Sequence, residues 1–108
     1  MLNKTYKIIV YVPVSHADAV REAMGKAGAG KSDKYSFCSF STRGVGRFKP
    51  EAGAKPAIGE IGKLEEVEEE RIEITCAADS VKEVMAAIKS AHPYEEAAID
   101  IYSLENPQ

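Results

Sequence analysis

Two stretches of the chain are near-copies of each other. Ala17-Asp18-Ala19-Val20-Arg21-Glu22-Ala23-Met24 aligns with Ala78-Asp79-Ser80-Val81-Lys82-Glu83-Val84-Met85 at a constant offset of 61, with five of eight positions identical and one Arg/Lys exchange. Each copy opens an amphipathic helix. Val20, Ala23, Met24 and Ala27 fall at i, i+3, i+4 and i+7, and Val81, Val84, Met85 and Ile88 repeat that stripe. Each helix also follows a strand. Ile8-Ile9-Val10-Tyr11-Val12 is a β-branched and aromatic run closed by Pro13, and residues 71–77 precede the second helix. A chain that runs strand then helix twice, with matching apolar stripes, has two helix faces to bury on one sheet.

The punctuation agrees. Ser15 offers an N-cap oxygen with Asp18 three residues on, and Ser80 with Glu83 makes a fuller capping box. Gly28 and Gly30 stop the first helix and Pro93 the second. Residues 35–42 alternate an aromatic ring or Cys with Ser, and residues 98–104 alternate again, which predicts two further strands. The expected fold is therefore α+β, a ferredoxin-like βαββαβ antiparallel sheet with both helices on one face. At 108 residues and 11.7 kDa the chain forms a single domain over 1–108. It should expose about 6,000 Å² when folded, enough burial for a core without staples. Residues 43–64 hold five of the eight glycines and two of the five prolines. They predict an extended Gly-rich loop or hairpin in the β2–β3 connection, a length that usually serves function. Residues 65–71 then lead into the third main strand.

Composition excludes several classes. With 44% hydrophobic and 29% charged residues the chain is not disordered. Fourteen basic against seventeen acidic residues leave a net charge of −3, so no general affinity for nucleic acid or anionic membrane is expected. No apolar run reaches the length of a membrane span, and the first residues lack the features of a signal peptide. Cys38 and Cys76 form no CxxC pair and fit a reducing, cytoplasmic compartment.

Chemistry concentrates in two places. In His92-Pro93-Tyr94-Glu95-Glu96, His92 with Glu95 or Glu96, joined by Cys38, could supply N, O and S ligands to zinc, copper or nickel. The structural alternative is a helix-to-strand junction in which His92 caps carbonyls and Tyr94 packs. Arg43, Gly44, Gly46, Arg47 and Lys49 mix glycine and cations, as a cradle for a small anion would. That stretch lacks the spacing of a Walker or dinucleotide loop, and it could equally be a mobile turn or meet a neighbouring subunit. Cys38 and Cys76 read as small buried strand residues. The acidic run Glu65, Glu66, Glu68, Glu69 and Glu70 reads as a solvated edge that discourages wrong strand pairing, without the Asp-rich loop that calcium needs. His16 is expected to face solvent. No Ser/His/Asp or Cys/His relay is discernible, and a two-carboxylate hydrolase has no positional support.

Several motifs, in order, resemble a known domain. Gly28-Ala29-Gly30-Lys31, Tyr35-Ser36-Phe37-Cys38-Ser39-Phe40-Ser41-Thr42, Gly44-Val45-Gly46-Arg47-Phe48-Lys49-Pro50, Pro56-Ala57-Ile58-Gly59-Glu60-Ile61-Gly62-Lys63-Leu64-Glu65, Glu70-Arg71-Ile72-Glu73 and His92-Pro93-Tyr94-Glu95-Glu96 are similar to the YqfO-type insert domain of the NGG-one-interacting-factor (Nif three-like) proteins. The resemblance spans about residues 6–106. It implies a CutA- and PII-like fold assembled as a trimer, with 43–64 in the place of the long PII loop that meets ligands and partners. His92-Pro93-Tyr94-Glu95 is also similar to a segment of CutA. The larger family proteins carry a dinuclear metal site in two flanking lobes, which this stretch, with only His16 and His92, does not supply. No hydrolase or GTP-cyclohydrolase activity is therefore implied. The expectation is a non-enzymatic cytoplasmic module that forms a homo-oligomer, dimer or trimer, and binds a divalent metal, a small anionic ligand or a protein partner. The alternative is a metal-dependent enzyme built on the His92 corner.

Overall fold

A computed structural model describes residues 4–105. The β-branched run forms β1 (Thr5–Pro13), and Pro13, at φ −54°, turns the chain directly into α1 (Val14–Lys26). The expected cap at Ser15 is not made, because the helix has begun by Val14. Ser15 Oγ lies instead 2.9 Å from His16 Nδ1. At the other end of α1, Gly28 takes φ +108° and its N–H donates to Gly25 O, while Ala29 N–H donates to Met24 O. This is the paired bond pattern of a Schellman motif, with Ala29 buried as its apolar anchor. The chain continues through β2 (Phe40–Phe48), β3 (Glu65–Ala77), a 3-10 turn (Ala78–Ser80), α2 (Val81–Ala91) and β4 (Ala98–Leu104). Ser80 stands at the N-cap of α2 without a side-chain bond to the helix.

The four strands lie in the order β2-β3-β1-β4, each pair antiparallel. The expected α+β, ferredoxin-like plan is thus present. Its core follows the period of two in the strands. Ile8 pairs with Ile74 and Val10 with Ile72, putting these side chains, with Val12 and Cys76, on the face that meets the helices. Ala17, Val20 and Met24 of α1 and Val84 and Ile88 of α2 complete it, at 0–1% exposure.

Three boundaries differ from the sequence reading. The alternation at 35–39 is not strand: all five residues are exposed, and Phe37 adopts φ +57°. Cys38 N–H donates to Gly30 O at 2.9 Å, hooking this segment onto the end of α1. Cys38 is therefore exposed, whereas Cys76 is buried as expected. Second, β2 runs on through residues 43–48, and the β2–β3 connection proper is 49–64. Third, the acidic run is not an edge, because β3 is flanked by β2 and β1. Arg43 lies opposite Glu70 and Arg47 opposite Glu66, and the Arg47–Glu66 ion pair ties together a strand pair that is otherwise poor in apolar side chains.

The hairpin of β2 and β3 makes the molecule long. Its extents are 50 × 22 × 22 Å, and its radius of gyration, 15.1 Å, exceeds the roughly 13 Å of a compact chain this size. The exposed surface is 7243 Å², above the roughly 6,000 Å² expected for its mass.

Candidate functional site

The junction after α2 places the His92 motif against the sheet. His92 follows the last helical turn, its N–H donating to Ile88 O at 2.8 Å, and takes an extended conformation, as the residue before a proline prefers. Its ring turns inward. The Tyr94 N–H donates to His92 Nδ1 at 3.1 Å, so Nδ1 carries no proton and Nε2–H donates to Tyr11 O at 2.7 Å. Both ring nitrogens of this buried histidine are thereby engaged, and the ring splints the corner to β1.

Tyr94 then packs edge-on against Phe48, with ring centroids 5.5 Å apart, and lies 5.1 Å from the His92 ring. This joins the corner to the end of β2. A second clamp joins it to the connection: Lys55 N–H donates to the Glu95 carboxylate at 3.0 and 3.2 Å. Gly62 N–H reaches back to Pro50 O at 2.7 Å and closes the connection on itself.

Between these parts opens a cleft of about 790 Å³. Its walls are the end of β2 with residues 49–58 on one side and Tyr94, Glu95, Glu96 and Ala98 on the other, with Tyr11 and Glu69 contributed by β1 and β3. Much of the lining is apolar, from Val45, Phe48, Pro50, Pro56 and Ile58. Two polar groups are deeply placed. Glu69 is 9% exposed, and the Tyr94 hydroxyl is buried without a well-formed hydrogen bond. Burial, and then the charge of Glu69 and a hydrogen-bonding interaction with it, push the Tyr94 phenol up to about 12. Gly46 makes room for Glu69, because a Cβ there would fall 2.1 Å from Glu69 Oε1.

Of the residues expected to hold an anion, Gly46, Arg47 and Lys49 line the cleft, whereas Arg43 and Gly44 do not. All but Lys49 belong to extended strand, so their N–H groups do not form a curled cradle. Arg47 Nε pairs with Glu66 at 2.9 Å and Lys49 Nζ with Glu51 at 3.6 Å. Glu95 and Glu96, expected as metal ligands, line the same cleft, while Cys38 sits in the 31–39 hook with its Sγ near Ser36 O. Among the described residues no three His, Cys, Asp or Glu side chains converge to hold a metal ion. The Cys76 thiol is pushed up by burial and then by the charge of Asp79, which suits a core residue. The sequence reading placed Glu69 in a solvated edge, and although it expected residues 43–64 to meet a ligand, it singled out no residue of the 50–58 wall. Glu69 stands between Glu68 and Glu70 in the run, and nothing local to the sequence sets it apart.

No family model matches the chain. It is 50% identical over 101 residues to a "GTP cyclohydrolase 1 type 2 homolog" of Halalkalibacterium halodurans, covering 94% of this chain and 27% of that protein. The Bacillus subtilis protein of the same name is 50% identical over 99 residues, covering 92% and 26%. The chain thus spans about a quarter of the length of the curated relatives it matches. Among solved structures it is similar to a Bacillus cereus protein related to NIF3, with a TM-score of 0.84 and 46% identity over 96% of this chain and 26% of that one. CutA from Archaeoglobus fulgidus superposes with a TM-score of 0.70 at 17% identity, covering 96% and 87%. The Bacillus subtilis GlnK–ATP complex gives 0.64 at 15%, covering 96% and 84%. These last two likenesses concern the fold alone.

Proposed function

We propose that this chain, which is homologous to a quarter-length segment of the NIF3-related proteins and shares the ferredoxin-like fold of CutA and GlnK, is a self-associating, non-enzymatic binding module. Its ligand enters the cleft between residues 49–58 and the Tyr94–Glu96 corner. One observation carries the reading. The cleft has apolar walls, and its two deep polar groups, Glu69 and the Tyr94 hydroxyl, have no partner among the described residues beyond each other. The connection that forms one wall is held by Glu95 rather than by a core, so ligand and connection can be coupled. The cyclohydrolase in the relatives' names is not extended to this segment. What supports that restraint is the use of His92, whose nitrogens hold the corner together instead of facing the cleft. Two free cysteines fit the cytoplasmic setting that the reading assumes, and among the described residues no helix is long and apolar enough to cross a membrane.

The test is thermal stabilisation against panels of nucleotides, carboxylates, amines and divalent ions, for the wild type and for Ala57→Trp. Ala57 is an exposed residue of the cleft wall, so a bulky ring there obstructs the cleft without touching the core. The ligand that stabilises the wild type is expected to bind Ala57→Trp at least tenfold more weakly, with the free protein's unfolding midpoint unchanged. Equal binding by both would move the site elsewhere. Failure of every class would turn the reading from small ligand to protein partner.

A further inference from the structure

Glu69 is a carboxylate without a counter-charge. It is 9% exposed, and among the described residues no Lys, Arg or His pairs with it. Its neighbour in sequence shows the contrast. Glu70, on the opposite face of β3, is equally buried and is matched by Arg21, which also bonds Ser41. A nearly buried carboxylate is costly unless a cation or several donors compensate it. Glu69 has one neighbouring donor, the Tyr94 phenol. Of the two cations of the cleft, Arg47 pairs with Glu66 outside it and Lys49 with Glu51 on its own wall. With Lys49 and Glu51 offsetting each other, Glu95 and Glu96 join Glu69 on the lining against Arg47 alone, so the field of the cleft is negative.

We infer that the cleft recognises a cation, an ammonium or guanidinium group on an apolar body, seated against Glu69 and the Tyr94 hydroxyl with its body on Phe48 and the 50–58 wall. The inference rests on the cleft being the binding site. It replaces the anion expected of the glycine- and cation-bearing stretch. Burial raises the value of the contact, because a charge-assisted hydrogen bond in a desolvated site is worth more than one in water. The aromatic rings of Phe48 and Tyr94 add faces that attract cations. The cation has two possible sources, a free amine or a Lys or Arg side chain of a protein.

Chemical-shift titration of the cleft amides separates these cases. The probes are benzylammonium, benzyl alcohol and benzoate, which share a ring and differ in charge, and N-acetylarginine amide for the protein source. The expected result is that benzylammonium or the arginine amide binds at least tenfold tighter than benzyl alcohol, with benzoate weakest. Glu69→Gln should abolish that preference while leaving benzyl alcohol unchanged. Free of probe, Glu69→Gln should unfold at the same or a higher temperature than the wild type and sediment identically, since it removes an unpaired charge and keeps an acceptor for Tyr94. A tighter benzylammonium complex assigns a free amine, and a tighter arginine amide complex a protein side chain. Equal binding of the three benzyl probes within the cleft overturns the cation inference and leaves the cleft as the site. No shift of cleft amides by any probe overturns it too, and the Ala57→Trp comparison then decides the fate of the cleft. A smaller assembly for Glu69→Gln would identify the cation as another subunit's own, which also overturns it.

Discussion

At the scale of single residues, the chemistry of the corner is decided by which groups are already occupied. His92 is ligand-capable in the sequence, yet Nδ1 accepts from Tyr94 N–H and Nε2 donates to Tyr11 O, which makes it a splint. Tyr94 is the reverse case, a ring that packs while its hydroxyl is left over. That hydroxyl has a measurable consequence. The folded-state pKa of Tyr94 is raised from 10 to about 12, first by burial and then by Glu69. Between these values the folded state holds a proton that the unfolded state has lost. The contribution to stability is complete below about pH 10 and is lost as the pH rises through about 12. Absorbance titration of phenolate in the native protein should show one tyrosine ionising near pH 12, absent in Tyr94→Phe. The variant should also lose stability less steeply over that window. A Tyr94 that titrates with the exposed tyrosines would remove the buried-hydroxyl argument.

At the scale of elements, most of the fold was legible because it rests on local periodicity. The helical stripes, the stop at Gly28 and the strands β1 and β4 all follow from spacing within a few residues. Gly28 can be tested directly. Its φ of +108° is one that side chains rarely adopt, and the nearest atoms to an added Cβ, in Ser80, lie 3.5 Å away, so steric clash contributes little. Gly28→Ala should therefore cost about 1 kcal/mol through backbone conformation alone. For a domain of this size that lowers the unfolding midpoint by about 4–8 °C, measurable by calorimetry. An unchanged midpoint would mean the helix end relaxes freely. What was not legible depended on partners distant in sequence. Residues 43–48, with two glycines and two arginines, look unlike a strand, and become one by pairing with residues 65–70 of β3, where Arg47 meets Glu66. The alternation at 35–39 looks like a strand and is a hook, because Gly30, not a neighbouring strand, takes the Cys38 N–H. Glu69 and Glu66 are the same residue type in the same run. Only register and the reach of the corner bury one and leave the other exposed.

At the scale of the whole molecule, one face of the sheet is covered by helices and the other is not. By register Phe40 and Tyr102 lie on the uncovered face, at its two edge strands, and both are more than half exposed. Between them Ile9 is nearly sealed, at 1% exposure, although its side of the pleat faces away from the helices. The edges themselves, β2 and β4, offer unpaired backbone groups along nine and seven residues of strand. A small chain with an elongated hairpin and this much uncovered sheet has strong reason to meet copies of itself, and the self-association proposed above would use this face. Sedimentation should give a mass that is a multiple of 11.7 kDa and stable on dilution. Phe40→Lys, which places a charge beside Glu73 at an exposed position, should shift the protein toward the monomer without altering its circular dichroism. A wild type that sediments as a monomer at every concentration would refute self-association. An oligomer indifferent to Phe40→Lys would place the contact on the helices or on the hairpin instead, away from the uncovered face.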